Sequence, residues 1–175
     1  MSEYGVVTEP GSVRIQRMLP GPIERVWAYL TESEKRGTWL ASGDMEPGVG
    51  GQVHLHFRNS ELSSHGESPP EEYRDHACGN HGQGRVTAWE PPRQLGYTWS
   101  GGSEVTFELT PQEANVLLVL THRRLAAREA MLNVSAGWHA HLDILSDQLE
   151  GREPRPFWST HTRLEAEYDQ RLPAG

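Results

Sequence analysis

Residues 137–151 read Gly137-Trp138-His139-Ala140-His141-Leu142-Asp143-Ile144-Leu145-Ser146-Asp147-Gln148-Leu149-Glu150-Gly151. Trp138, Leu142, Leu145 and Leu149 recur at spacings of four, three and four, which is the apolar stripe of an amphipathic helix. Gly151 supplies the stop that a helix C-terminus needs. The spacing predicts a long helix over 135–150 with no strand after it. A second decisive stretch is Pro22-Ile23-Glu24-Arg25-Val26-Trp27-Ala28-Tyr29-Leu30-Thr31, followed by Trp39-Leu40. Pro22 suits a helix start, where a missing N–H costs nothing. Ile23, Val26, Trp27 and Leu30 then share one helical face. Thr31 and Ser33 can cap a second short helix ending near Gly37.

The runs between these helices read as strands. Residues 12–18 alternate, with Val13, Ile15 and Arg17 on one side, and stop at Pro20-Gly21-Pro22. Residues 52–58 place Val53, Leu55 and Phe57 on one face and His54 and His56 on the other. Further strands are expected over 84–90, 94–100, 103–110 and 115–122, with Gly101-Gly102 as a hairpin turn. Residues 115–122 are apolar on both faces, which suggests burial or a dimer interface. Residues 59–83 form a polar insertion too long for an ordinary hairpin loop. The tail, 154–175, carries Pro-Arg-Pro and a helical stretch over about 160–171, with Leu164 and Tyr168 placed to pack back onto the body. A curved antiparallel sheet wrapped around one long C-terminal helix leaves a hollow between the two. Element order therefore bears directly on function.

Bulk properties narrow the function classes. The 175 residues suit a single domain with one core. Net charge is -8 and the pI is near 5.6, and Lys and Arg are scattered. Nucleic-acid affinity rests largely on clustered Lys and Arg, so no nucleic acid is expected as partner. No apolar run is long enough to span a bilayer, and no membrane partner is expected. Met1-Ser2-Glu3-Tyr4 lacks a secretory pattern. The lone cysteine, Cys78, cannot form an internal disulfide, so a reducing, cytoplasmic setting is the expectation.

The order strand, two short helices, about five antiparallel strands and long helix resembles the helix-grip fold of the START and Bet v 1-like (SRPBCC) superfamily. This is an α+β class. Within it the chain resembles the branch of homologues of the ATPase activator of the ninety-kilodalton heat-shock chaperone. The carriers are Pro22-Ile23-Glu24-Arg25-Val26-Trp27, Leu30-Thr31, Trp39-Leu40, Gly50-Gly51, Gly84-Arg85-Val86 and Glu90-Pro91-Pro92-Arg93-Gln94-Leu95. Tyr97-Thr98-Trp99, Val105-Thr106-Phe107-Glu108-Leu109, Thr121-His122, Gly137-Trp138 and His141-Leu142 complete the set. Together they span about 12–151. The co-chaperone behind the family name has a separate N-terminal domain for engaging the chaperone, for which these residues leave no room. The resemblance therefore implies a ligand-cavity domain rather than chaperone activation, with no cofactor.

Trp27, Trp39, Trp99 and Trp138 are the largest apolar groups of the expected core. Individually each is a core filler, but as a set their rigid rings can frame an apolar cavity. Leu55, Phe57, Tyr97, Phe107, His141, Leu142 and Leu145 are the other cavity candidates. His141 lies one turn from Trp138 and Leu145 and can present a polar atom to a ligand. His139 lies on a different face and is expected to be solvated, as are Glu24 and Asp143. The leading expectation is a cavity that binds a small, mainly hydrophobic molecule. One alternative is a polyketide-cyclase- or hydrolase-like enzyme using Tyr97, His141 or His54. The other is an interaction module for a chaperone or another protein. No nucleophile elbow, phosphate loop or His-Glu-x-x-His motif is present, and no catalytic residue is assigned.

His54 and His56, and separately His65, Asp75, His76, Cys78 and His81, supply metal-ligand types without the spacing of a structural zinc module. The core does not need them. The purified protein is expected to melt at the same temperature with and without a strong chelator. A large drop on chelation would promote His76, Cys78 and His81 to ligands.

Overall fold

The computed structural model describes residues 4–63, 70–71, 80–99 and 102–172. Alternation builds the first long strand, β2 (Ser12–Pro20): Val13, Ile15, Arg17 and Leu19 are buried while Arg14 and Met18 are exposed. A short edge strand, β1 (Val6–Glu9), pairs with it and was not foreseen, because four mostly exposed residues carry no periodic signal. The remaining strands are β3 (Gln52–Phe57), β4 (Asn80–Glu90), β5 (Gln94–Thr98), β6 (Glu104–Gln112) and β7 (Asn115–Arg123). They form one antiparallel seven-stranded sheet in the order β1-β2-β7-β6-β5-β4-β3. The two-sided apolar character of β7 follows from its place between β2 and β6. Val116, Leu118, Leu120 and His122 face the core, while Leu117 and Val119 are half-buried on the outer face.

Helices α1 (Ile23–Thr31) and α2 (Ser33–Arg36) carry the chain from β2 to the far edge of the sheet, where β3 begins. The long helix α3 (Arg128–Leu149) starts about two turns earlier than its apolar stripe predicts. It ends where Gly151 takes a φ of 72°, with Arg152 N–H reaching the Asp147 carbonyl at 2.8 Å. Left-handed backbone at that position suits glycine. This is the helix-grip fold, with α3 lying across the concave face of the sheet. Residues 59–83 are less of an insertion than expected. They include a 3-10 turn (Asn59–Glu61) and the first residues of β4, which pair with β3 from Phe57↔Asn80 onward. His65, Asp75, His76 and Cys78, and the Gly101 half of the expected turn, lie outside the described residues.

A buried arginine organises the crossing from β2 to β3. Arg36 has no solvent exposure. Its guanidinium donates to the carbonyls of Ala41 at 2.9 Å and Thr31 at 3.1 Å, and to that of Gly43. Gly43 has a φ of 126°, and a Cβ there would meet the His54 carbonyl oxygen at 2.1 Å, so no other residue fits. Trp39, also fully buried, donates its indole N–H to the Tyr29 carbonyl at 2.7 Å.

The C-terminal helix α4 (Phe157–Arg171) folds back onto α3, burying Leu164 and Tyr168 as the tail predicts. Charge holds it there, and this corrects two readings. Asp143, expected in solvent, is buried and accepts from Arg17 at 3.1 Å, with Arg155 at 3.5 Å. Arg155 also binds Asp147 at 2.7 Å. His139, likewise expected in solvent, is buried beneath α4. Its Nε2 lies 3.5 Å from Asp143 and its Nδ1 lies 2.9 Å from the Tyr168 hydroxyl, which takes the Gly5 N–H at 2.6 Å. A carboxylate only accepts, so the neutral ring carries its proton on Nε2 and Tyr168 donates to Nδ1. α4 covers the face of α3 that a sequence reading leaves to water. No helix among the described residues is long and apolar enough to cross a membrane.

Arg36→Met keeps an unbranched, mainly apolar stem and removes every donor. The carbonyls of Ala41, Thr31 and Gly43, and that of Leu30 at 3.5 Å, then lose a partner in a largely dry site, and the expected cost is about 3 kcal/mol or more. Urea denaturation measures it. A loss within the ±0.5 kcal/mol or so of ordinary surface substitutions would show that solvent or other donors replace the guanidinium.

Candidate functional site

The space between α3 and the β3-β4-β5 side of the sheet is not filled. A cavity of about 370 Å³ lies there, within the range that small-molecule sites occupy. α3 contributes Val134, Gly137, Trp138 and His141, an i, i+3, i+4, i+7 stripe on one helical face. The sheet contributes Leu55 and Phe57 from β3, Gly82 and Gln83 from β4, and Thr98 and Trp99 at the end of β5. Leu40 adds to the wall, and α4 closes one side with Phe157, Trp158 and His161. Exposed His81, Gln83 and Asn133 mark the mouth. A broader groove of about 830 Å³ on the outer side of α3 and α4 is lined by exposed residues such as Glu129 and Asp169.

The walls are aromatic and mutually braced. Trp138 packs on Trp99 at 5.1 Å between ring centres and on Phe107 at 5.7 Å. Phe57 meets Trp99 at 5.8 Å, His141 meets Phe157 at 4.5 Å, and Phe157 meets Trp158 at 4.9 Å. Edge-to-face and tilted contacts of this kind are worth more than their area alone. Rigid rings leaning on one another keep the gap from collapsing.

Two histidines in this region have settled tautomers. Trp138 Nε1–H donates to His122 Nδ1 at 2.9 Å, so the neutral His122 ring carries its proton on Nε2 and gives it to Ser103 Oγ at 2.9 Å. His141 Nδ1 lies 2.7 Å from the Trp39 carbonyl. A carbonyl only accepts, so His141 carries its proton on Nδ1 and Nε2 bears the lone pair. Burial holds both rings neutral, pushing each pKa down to about 4. The Trp39 hydrogen bond opposes this for His141, and nearby His161 adds to it. His139 is pushed down to about 3, first by burial and then by Arg17 and other arginines.

Of the residues proposed from sequence, the structure brings Leu55, Phe57, Trp99, Trp138 and His141 together around the cavity. Leu142, Leu145, Phe107 and Tyr97 lie instead in the solid core, each at most 1% exposed. Burial pushes the pKa of the Tyr97 phenol up. Trp39 is behind the wall, where its carbonyl orients His141. Trp27 packs on Trp89 at 5.3 Å and does not line the cavity. His54 is exposed and outside the cavity, and His56 stacks on His81 at 4.1 Å. Among the described residues, no three His, Cys, Asp or Glu side chains gather in a way that could hold a metal ion. Sequence reasoning missed Phe157, Trp158 and His161. The signal was present: they extend the Leu164 and Tyr168 stripe backward by about two turns.

The buried histidines make stability pH-dependent. Unfolded, each titrates near its ordinary value, so the unfolded chain takes up protons first as pH falls below about 6.5. Stability is therefore full above that pH and falls toward pH 4 by roughly 1.4 kcal/mol per pH unit for each of His122, His139 and His141. Denaturant unfolding at pH 7, 6 and 5 measures the slope. A flat profile would place these rings in water.

The family described as Activator of Hsp90 ATPase homolog 1-like protein matches residues 20–150. A protein from Bordetella parapertussis, solved in solution by NMR, is 43% identical, with a TM-score of 0.83 over 99% of this chain and 92% of its own. CalU16 from Micromonospora echinospora is 21% identical, with a TM-score of 0.67 over 91% of this chain and 86% of its own. The Aha1 dimer from Colwellia psychrerythraea is 19% identical, with a TM-score of 0.58 over 79% and 96%. The last two are likenesses of fold alone. No curated protein matches the chain. The family match stops before α4, so three cavity residues lie beyond it. The matched segment and its helix-grip architecture agree, and the chain belongs to the Activator of Hsp90 ATPase homolog 1-like family.

Proposed function

We propose that the protein binds a small, mainly apolar molecule in the cavity between α3 and the sheet. The observation that carries this reading is an aromatic-walled space of about 370 Å³ with a few buried polar atoms, the usual make-up of a ligand site. Residues 1–175 act as one domain in this reading, because α4 supplies part of the wall. The enzyme alternative has less support. Of Tyr97, His141 and His54, only His141 reaches the cavity. The interaction-module alternative also has less support. Among the described residues the large exposed apolar side chains are Val6, Met18 and Val49, each on a different element or loop. Self-association is compatible with ligand binding. Met18 sits beside half-buried Leu117 on the outer sheet face, and the Colwellia relative is a dimer.

Gly137 offers a direct test. It lines the cavity, and a Cβ built there meets nothing within 4 Å. Gly137→Phe therefore has room for its Cβ, directs a ring into the cavity and replaces a poor helix former. The neutral probe N-phenyl-1-naphthylamine is expected to bind the parent with enhanced emission and quenched tryptophan fluorescence. It is expected not to bind Gly137→Phe, which keeps the parent melting temperature. A folded variant that binds as well as the parent would place the probe elsewhere.

A further inference from the structure

We propose that the cavity selects a non-anionic ligand bearing a hydroxyl or N–H, which donates its hydrogen to His141 Nε2; this rests on the cavity reading above. The imidazole is 5% exposed and lines the cavity. Its only freedom is removed from behind. The Trp39 carbonyl takes the Nδ1 proton at 2.7 Å, and Trp39 is itself fixed by its indole hydrogen bond to the Tyr29 carbonyl. A neutral ring has one N–H, so the nitrogen left for a ligand is an acceptor. Burial keeps the ring neutral at physiological pH. A ligand group meeting Nε2 must therefore bring the proton.

The remaining lining argues against a negative charge. Among the described residues, no Asp, Glu, Lys or Arg lines the cavity. A carboxylate would lose its hydration, find no cation, and face the Nε2 lone pair, which together make burial costly. A neutral donor loses far less, because the acceptor replaces its water. The rings of Phe57, Phe157 and Trp138 surround His141 at 4.5–6.4 Å between ring centres, so the donor is expected on an aromatic or otherwise flat apolar body. An acceptor on the cavity wall that a bound ligand would shut off from water is also a device for specificity. An analogue that lacks the donor leaves Nε2 unsatisfied, so it is penalised relative to the donor-bearing form.

Three probes on one naphthalene body test the idea by displacement of N-phenyl-1-naphthylamine from the wild-type protein. These are 2-naphthol, 2-methoxynaphthalene and 2-naphthoate. The naphthol is expected to bind about tenfold more tightly than the methoxy compound, the size of one net hydrogen bond. The naphthoate is expected to be about a hundredfold weaker than the naphthol, or inactive. In wild-type protein the naphthol should also shift the ¹⁵N resonance of His141 Nε2, and the methoxy compound should not. In His141→Phe the naphthol advantage should vanish while the methoxy compound still binds. If that variant fails to fold, the wild-type series and the ¹⁵N shift decide alone. Equal binding of naphthol and methoxynaphthalene, or tight binding of naphthoate, overturns donor selection and leaves the cavity reading standing. Failure of N-phenyl-1-naphthylamine and all three compounds to bind overturns the cavity reading, and this inference with it.

Discussion

The connection at Trp39 is the constraint on which the site depends. Its indole N–H is spent on the Tyr29 carbonyl and its own carbonyl is spent on His141. The first bond ties the residue to α1, and the second ties the crossing segment to α3. Arg36 stiffens the same stretch by gathering carbonyls from both sides of it. Buried backbone acceptors of this kind must find donors. Here the donors are side chains, because the segment is neither helix nor strand. A segment that looks like a linker thus becomes a rigid backing for the buried polar group that faces the cavity from α3.

The second organising feature is the charged seam between α3 and α4. Arg17, Asp143, Arg155 and Asp147 link β2, α3 and the segment leading into α4. Ion pairs removed from water contribute little net stability, since desolvation offsets much of their attraction. Their value here is positional. Removing one partner would strand a buried charge, so the seam admits one placement of α4. That placement puts Phe157, Trp158 and His161 into the cavity wall. The site is therefore shared between the family's common body and a helix beyond the matched segment.

Much of the architecture was legible in the chain. Period-two runs at β2, β3, β5 and β6, the continuous apolar run at β7 and the α3 stripe lie where pattern and spacing put them, because burying apolar faces is the main force shaping each element. β1 was not legible, since its few residues are held by pairing with β2 rather than by burial. The start of β4 was hidden among Asn, His, Gly and Gln, where cross-strand hydrogen bonds to β3 decide the conformation. His139 and Asp143 were misread because helical spacing shows only one partner face. A second face, covered by α4, leaves no periodic trace in α3 itself.

The sequence by itself determined the element order and the aromatic richness of the region between helix and sheet, which rest on local periodicity, turn residues and composition acting over a few residues at a time. The helix-grip class came from the resemblance carried by its quoted motifs. Tertiary structure alone decided which rings face empty space and which fill the core. Trp138 and Leu142 stand on the same predicted stripe, yet Trp138 lines the cavity and Leu142 does not. It also decided that His141 is an acceptor. That property depends on the Trp39 carbonyl, 102 residues away in the chain. A hydrogen bond over such a separation exists only once the whole fold has brought its two ends together.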